Sequence, residues 1–447
     1  MARCAVDTGS WAWLGIALGA FITACGGDEG AGAGSGSASS GGKVDAVTYY
    51  RDVKPIFDAR CTGCHSGTGI APFSLEAHDA AAAWAPHIKR AVVERTMPPW
   101  PADSACAEYV GDRSLSEQQI QTIAAWVDGG AAAGDPAEEG PPLDPLKISE
   151  LARVDLTLEM PVEYTPQEEP DDYRCFVIDW PEESTRYVTG FGIRPGAERV
   201  VHHVIAYAAA PEQLADVEAL DASDPGPGYS CFGGPGIRPR WLGAWVPGAG
   251  DTGFPPGTGI RIEPGSQLIV QVHYNTLAAG KLPDRSAIDL MLESSVEREG
   301  TVQPWTNPAW LSGDSMMIPA FEGDVVHRWG AEPSRALAGG EPIEIHIAGL
   351  HMHTLGSRAR LEIERADGSS ECVVDIPRWN FHWQGGYKLV EPKVLNPGDR
   401  LSIECHWDNT PENQPIIDGQ PRVPRDVVWG EGTTDEMCLS TFYMTPR

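Results

Sequence analysis

The sequence predicts a multidomain chain: a small all-α block near the N-terminus, then two all-β sandwiches. Three observations point there. Between residues 46 and 128 apolar residues recur at helical spacing, and "SLSEQQIQTIAAWVDGG" opens with Ser116 and Gln119 placed as a capping box, with Ile120, Ile123 and Val127 on one helical face. From residue 148 onward the pattern changes to short β-rich runs such as "RVVHHVIAYA", "SQLIVQVHYN" and "EPIEIHIAGLHMH", broken by Gly/Pro turns. About 300 residues of such runs is enough for two antiparallel sandwiches. Between the two patterns lies "GGAAAGDPAEEGPPLDPL", residues 129–146, a Pro/Gly/Ala stretch that reads as a flexible linker.

At 447 residues the chain suits two or three domains, each able to bury a core. With 33 Lys+Arg against 63 Asp+Glu the net charge is −30, which argues against nucleic acid as a partner, because that attraction needs a basic surface. The segment "WAWLGIALGAFITACGG" is short for a membrane span and suits a cleaved export signal. Ile22-Thr23-Ala24-Cys25 resembles the bacterial lipobox, so residues 1–24 are expected to be a lipoprotein signal peptide and Cys25 the lipid anchor to a membrane. Residues 25–45, rich in Gly and Ser, read as a tether. The protein is expected in the periplasm or at the cell surface. Cys106, Cys175, Cys231, Cys372, Cys405 and Cys438, widely spaced in an exported chain, are then disulfide candidates.

Residues 46–128 contain "CTGCHSGTG". Cys61 and Cys64 at i and i+3 suit covalent attachment to the two vinyl groups of a haem, with His65 on the iron. A zinc half-site is the alternative, and the block offers it only Cys106, His78 and His87 as further ligands. Val53, Ile56 and Phe57 form an amphipathic run just before the motif. Met97 in "RTMPPW" is the block's one methionine and is expected as the second axial ligand, with His78 or His87 as rivals. With both axial positions filled, such a haem carries electrons. The block looks like a small c-type cytochrome domain.

Between residues 148 and 447 the histidines fall into two sets. His202 and His203 are adjacent, and His273 follows in "VQVHYN". Adjacent residues on a regular strand point to opposite faces, so that pair can share an ion only at a strand end or a bulge. His351 and His353, two apart in "IAGLHMHTLG", fall on one face of an extended strand. Met437 lies in the last run, "TTDEMCLSTFYM". Three imidazoles, and two imidazoles with a thioether, are both ligand sets that suit copper cycling between Cu(I) and Cu(II).

Taken in order, His-His, His-Tyr, His-x-His and Glu-Met-Cys over about 150 to 447 resemble the copper type II, ascorbate-dependent monooxygenases, the family of peptidylglycine α-hydroxylating monooxygenase and dopamine β-monooxygenase. The resemblance implies two jelly-roll-like sandwiches, residues 148–298 and 299–447, facing each other across a cleft with one copper on each. His202, His203 and His273 would hold the electron-transfer copper, with Gln271 near it. His351, His353 and Met437 would hold the copper that meets O2 beside the substrate. Cys175 with Cys231, and Cys405 with Cys438, stand where the family pairs cysteines, whereas Cys106 and Cys372 are either free or paired with each other. Peptide-amidating members hold a substrate carboxylate with an arginine, an asparagine and a tyrosine at positions that here are Gly349, Leu439 and Thr441, so peptidylglycine is not expected as substrate. His327, His346, His382 and His406 match no ligand position.

The implied function is a monooxygenase with two copper ions and one covalent haem c. It would hydroxylate an activated C–H bond of a small substrate with O2, its electrons arriving from an ascorbate-like reductant or a redox protein through the haem on linker 129–147. The alternative is a copper-binding or electron-transfer protein that hydroxylates nothing.

Overall fold

The structure, a computed structural model, describes Ala46–Arg447 apart from residues 68–70, 145–149, 170, 233, 247–251, 277–278, 313–314, 382, 418–419 and 431–433. The expected signal peptide, the Cys25 anchor and the tether lie outside the described residues. No described helix is long and apolar enough to cross a membrane.

The N-terminal block is helical. Its α-helices are Lys54–Arg60, His78–Ala83, Ala85–Val93 and Glu117–Asp128. The last opens on the expected capping box: Ser116 Oγ accepts from Gln119 N–H, and Gln119 Oε1 accepts from Ser116 N–H. Val53, Phe57, Ile88, Val92, Ile123 and Trp126 close one core around Tyr49. Each such side chain contributes roughly 1.5–3 kcal/mol by leaving water, which suffices to hold helices too short to stand alone.

The stretch expected as a loose linker turns back onto this block. Tyr49 and Tyr50 donate their backbone N–H to Ala132 and Ala133, Trp126 Nε1 donates to Ala132, and Lys54 pairs with Glu139 at 3.0 Å. The reason is elementary: N–H groups at the start of the block have no partner within it, and buried donors must find one.

A second departure matters more for function. Residues 100–111, between the third and fourth helices, dock on the C-terminal sandwich. Asp103 N–H donates to Asp375 O (2.8 Å), Val110 N–H to Lys388 O (2.8 Å) and Val390 N–H to Glu108 O (2.9 Å). The Tyr109 ring is buried among Trp100 and Tyr387, with its hydroxyl on Val373 O. Disulfide Cys106–Cys372 closes the seam, answering the question the sequence left open. The helical block is bonded to the sandwich itself.

The remainder is β. A nine-stranded sheet runs through both sandwiches, and each half is covered by a separate sheet. One half carries strands Asp171–Asp179, Val201–Ala209, Arg240–Trp245 and Gln267–Asn275, and packs on a six-stranded sheet through Phe176, Val204, Leu242 and Val270. The other carries Thr301–Trp305, Ile343–His351, Gly386–Leu395 and Leu439–Pro446, and packs on a four-stranded sheet through Ile343, Leu361, Ile403 and Phe442. Alternation of inward apolar residues along these strands sets the register. The halves join where Thr301–Trp305 pairs with both Leu439–Pro446 and, through Val302 and Trp241, Arg240–Trp245. Cys175–Cys231 and Cys405–Cys438 are bridged as the resemblance implied.

Candidate metal centres

His203 and His273 face each other across antiparallel strands Val201–Ala209 and Gln267–Asn275. The register slips between Val201 and His203, so His202 is the extra residue of a β-bulge. That bulge lets two neighbours serve one site. The His203 Nδ1 lies 3.4 Å from His202 Nδ1 and 3.2 Å from His273 Nδ1. One ligand atom from each ring lies within 4.8 Å of the others, a spacing that a single ion fits.

The surroundings prepare the set for a cation. Asp171, opposite Asn275 on the next strand, accepts from His273 Nε2 at 2.9 Å and from Asn275 Nδ2 at 2.9 Å. A carboxylate on the far ring nitrogen fixes the tautomer and leaves Nδ1 free as a ligand. Burial would raise the Asp171 carboxyl, but its bonds to His273 and Asn275 hold it below its ordinary value. Burial, then the nearby His273, His202 and His351, push the His203 imidazole well below its usual range, so it stays neutral, the form that binds metal. Tyr173 stacks face to face on His273 with ring centroids 4.1 Å apart, and Gln271 donates to Cys231 O.

The second set is built differently. Strand Ile343–His351 ends at His351, so His353 lies just beyond it, and the two rings converge with centroids 5.0 Å apart. Gln384 Oε1 accepts from His351 Nδ1 at 2.6 Å, and Asp435 O lies 3.1 Å from His353 Nδ1. With its Nδ1 engaged, His351 presents Nε2 towards an ion, and His353 brings its ring to the same point. Burial lowers the His351 pKa against the effect of the Gln384 bond. Met437 is buried and lines the same cavity. Its neighbour Glu436 is wholly buried and accepts from the backbone N–H of His353 (2.9 Å) and Leu355 (2.7 Å) and from Trp407 Nε1 (2.9 Å). Burial pushes that carboxyl up to about 7. Glu436 thus fastens the Met437 loop to the His353 turn, while Cys405–Cys438 anchors its other side.

In the helical block, Cys61 and Cys64 are free thiols one helical turn apart. His65 Nδ1 bonds Phe73 O at 3.1 Å, and the two rings pack at 4.6 Å, so Nε2 is the available nitrogen. His78 has both nitrogens engaged, by Asp79 and Ala131 O. Met97 and His87 line the same cavity as His65.

That cavity, of about 1470 Å³, is continuous from Cys61, Cys64 and His65 to His202, His203, His351, His353 and Met437. Single small-ligand sites run roughly 300–1,000 Å³. The other histidines have ordinary roles: His346 bonds Thr445 Oγ1, His327 bonds Met317 O, and His406 lies between Asp324 and Glu404. His382 lies outside the described residues. Sequence reading missed Asp171, Tyr173, Gln384 and the role of Glu436. Asp171 and Tyr173 had a signal in the alternation of their strand, since Asp171 pairs with Asn275 and Tyr173 with His273.

Comparison with known proteins agrees with part of this picture. Residues 314–445 match the family described as "Copper type II ascorbate-dependent monooxygenase, C-terminal domain". DBH-like monooxygenase protein 1 of Gallus gallus is 25% identical over 272 residues, 57% of this chain and 41% of that protein. DBH-like monooxygenase protein 2 of Mus musculus is 24% identical over 274 residues, 56% of this chain and 39% of that protein. The chain therefore spans about two-fifths of the length of the curated relatives it matches. Among solved structures, the major capsid protein P2 from Bacteriophage PM2 aligns with 65% of this chain and 98% of its own at 8% identity, with a TM-score of 0.25, too low to carry an argument. The matches at residues 314–445 and to the two DBH-like relatives support the copper type II monooxygenase family.

Proposed function

We propose that the chain is a two-copper monooxygenase whose electrons pass through a c-type haem held by the helical block. The reaction is R–H + O2 + two electrons + two protons giving R–OH + water. The observation that carries this reading is the single cavity onto which Cys61, Cys64, His65 and both histidine sets open. Bound copper supplies one-electron chemistry and O2 reduction, and bound haem supplies a one-electron carrier.

The chain's own residues have distinct tasks. His202, His203 and His273 hold the electron-transfer copper, and Asp171 fixes the His273 ring. His351, His353 and Met437 would hold the copper that meets O2 and substrate, with Gln384 on the His351 ring and Glu436 on the His353 backbone N–H. Cys61 and Cys64 would hold the haem covalently through their thiols. His65 would ligate its iron through Nε2, because Nδ1 is committed to Phe73 O. Met97 would supply the second iron ligand, with His87 the remaining rival, since His78 is turned to Ala131. Because residues 100–111 bond the block to the oxygen-site sandwich, electron delivery needs no search by a tethered carrier.

The substrate side of the cavity favours a neutral, largely apolar molecule. Gly349, Leu439 and Thr441 offer it no guanidinium, and a Cβ at 349 would sit 2.9 Å from Gly385 O, so a long side chain does not fit there without movement. Among the described residues, no Asp or Glu of the sandwiches lines the cavity to receive an amine. Export, with anchoring at Cys25, is part of the proposal, and the three disulfides suit an oxidising compartment. The outside donor is an ascorbate-like reductant or a redox protein.

The test is single turnover. Copper-loaded, fully reduced protein is mixed with 18O-labelled O2 and a panel of small aromatics, alcohols and amines while haem absorbance and oxygen uptake are followed. Expected are label in a hydroxylated product and haem oxidation at a rate independent of protein concentration. Copper binding and haem oxidation with no labelled product from any panel member would favour the electron-transfer reading.

A further inference from the structure

Arg113 is a half-buried cation on the shared cavity, just past the docked segment, with Cys64 and Tyr387 as its electrostatic neighbours. Among the described residues no carboxylate balances it, and burial lowers its pKa. The other cations on the cavity differ. Lys388 donates to Gly253 O at 2.6 Å, Arg60 donates to Asp144 O, and Arg90 is exposed to water. A guanidinium withdrawn from water without a counter-charge is costly, and its planar fork of donors matches a carboxylate.

We propose that Arg113 binds a carboxylate of a group seated in the cavity. Two sources share that chemistry, a propionate of the haem and the carboxylate of a substrate. Its place beside the Cys61–Cys64 motif favours the propionate. This rests on the haem reading above, and covalent haem attachment is therefore scored separately by pyridine haemochrome. A chain without haem would refute that reading while leaving the substrate arm open to measurement.

The experiment compares wild type with Arg113→Gln in the holoprotein by two measurements: the haem midpoint potential, and the effect of benzoate, used as a soluble carboxylate probe, on the Cu(II) spectrum. If Arg113 holds a propionate, Arg113→Gln lowers the potential, because an unbalanced carboxylate near the iron favours its ferric state, and benzoate has no Arg113-dependent effect. If it serves a substrate, benzoate binding weakens on the order of 10-fold or more in the variant, whatever the loss of the charge does to the potential. A variant matching wild type in both measurements overturns the proposal. Arg113→Met, similar in shape and free of the buried charge, provides the same comparison if the glutamine variant does not fold.

Discussion

The two histidine sets share one sheet yet are assembled by opposite means. His202, His203 and His273 come from two hydrogen-bonded strands, and a single bulge suffices to aim all three at one point. The other set takes His351 from a strand end, His353 from the turn beyond, and Met437 from a loop that arrives through Glu436 and Cys405–Cys438. Ladder hydrogen bonds hold the first set, so loss of any one surrounding contact should cost it less than the second. The second depends on long-range contacts that single substitutions remove.

The largest effect expected from this contrast is at the thioether. Met437→Ile should cut hydroxylation by at least ~100-fold, beyond the 10–100-fold typical of losing a partner outside the ligand set. It should leave the three-imidazole copper in place, so copper stoichiometry falls from two towards one under limiting metal. Full turnover in this variant would end the assignment of Met437.

Next is Glu436→Gln. The side-chain amide must turn an N–H towards a buried donor among His353 N, Leu355 N and Trp407 Nε1, a mismatch costing about 1–3 kcal/mol. Copper affinity at the His351 site should drop roughly 10–100-fold while the other site is unaffected. Equal losses at both sites would show that Glu436 supports the fold at large. Asp171→Asn is the mirror experiment. It removes the charge on His273 Nε2, and should weaken the three-imidazole copper by about 10-fold with the Met437 site unchanged. Competition titration with a chromophoric Cu(I) chelator reads both variants.

The same contrast explains what could be read in the sequence. Local rules carried far: the Ser116 capping box, the helix spacing around Ile120 and Ile123, and the warning that His202 and His203 need a bulge all concern residues within a few positions of one another. The docking of residues 100–111 had no such signal. Tyr109 looks like an ordinary loop aromatic until Tyr387, far along the chain, closes over it. Cys106 had several candidate partners, and its pairing with Cys372 is decided by strand placement that periodicity does not encode. The contacts that Ala132 and Ala133, within the stretch read as a linker, make to the helical block were illegible for the same reason, since composition reports how a segment behaves alone and says nothing of unmet N–H groups elsewhere, such as those of Tyr49 and Tyr50. Gln384 and Glu436 matter through contacts of this long-range kind.

The smallest effect concerns a histidine outside both proposed ligand sets. His346 shares its strand with His351, is equally imidazole, and is buried, yet its Nε2 bonds Thr445 Oγ1 and it faces no partner imidazole. Burial, opposed by Glu344 and reinforced by Arg298 and Lys388, lowers its pKa to about 4. The folded protein therefore refuses a proton that the unfolded chain accepts at its ordinary value of about 6.5. Because the unfolded state binds more protons between those values, stability is fully present above about 6.5 and is lost as pH falls towards 4. With about 1.4 kcal/mol per unit of pKa difference, the loss approaches ~3 kcal/mol. Urea unfolding of metal-free protein at pH 7 and pH 4.5 should show that His346→Gln removes part of the acid slope and leaves copper binding at both sites unchanged. A copper defect in His346→Gln would mean that ligand and packing histidines on this strand are not separable, and the contrast between the two sites would lose its control.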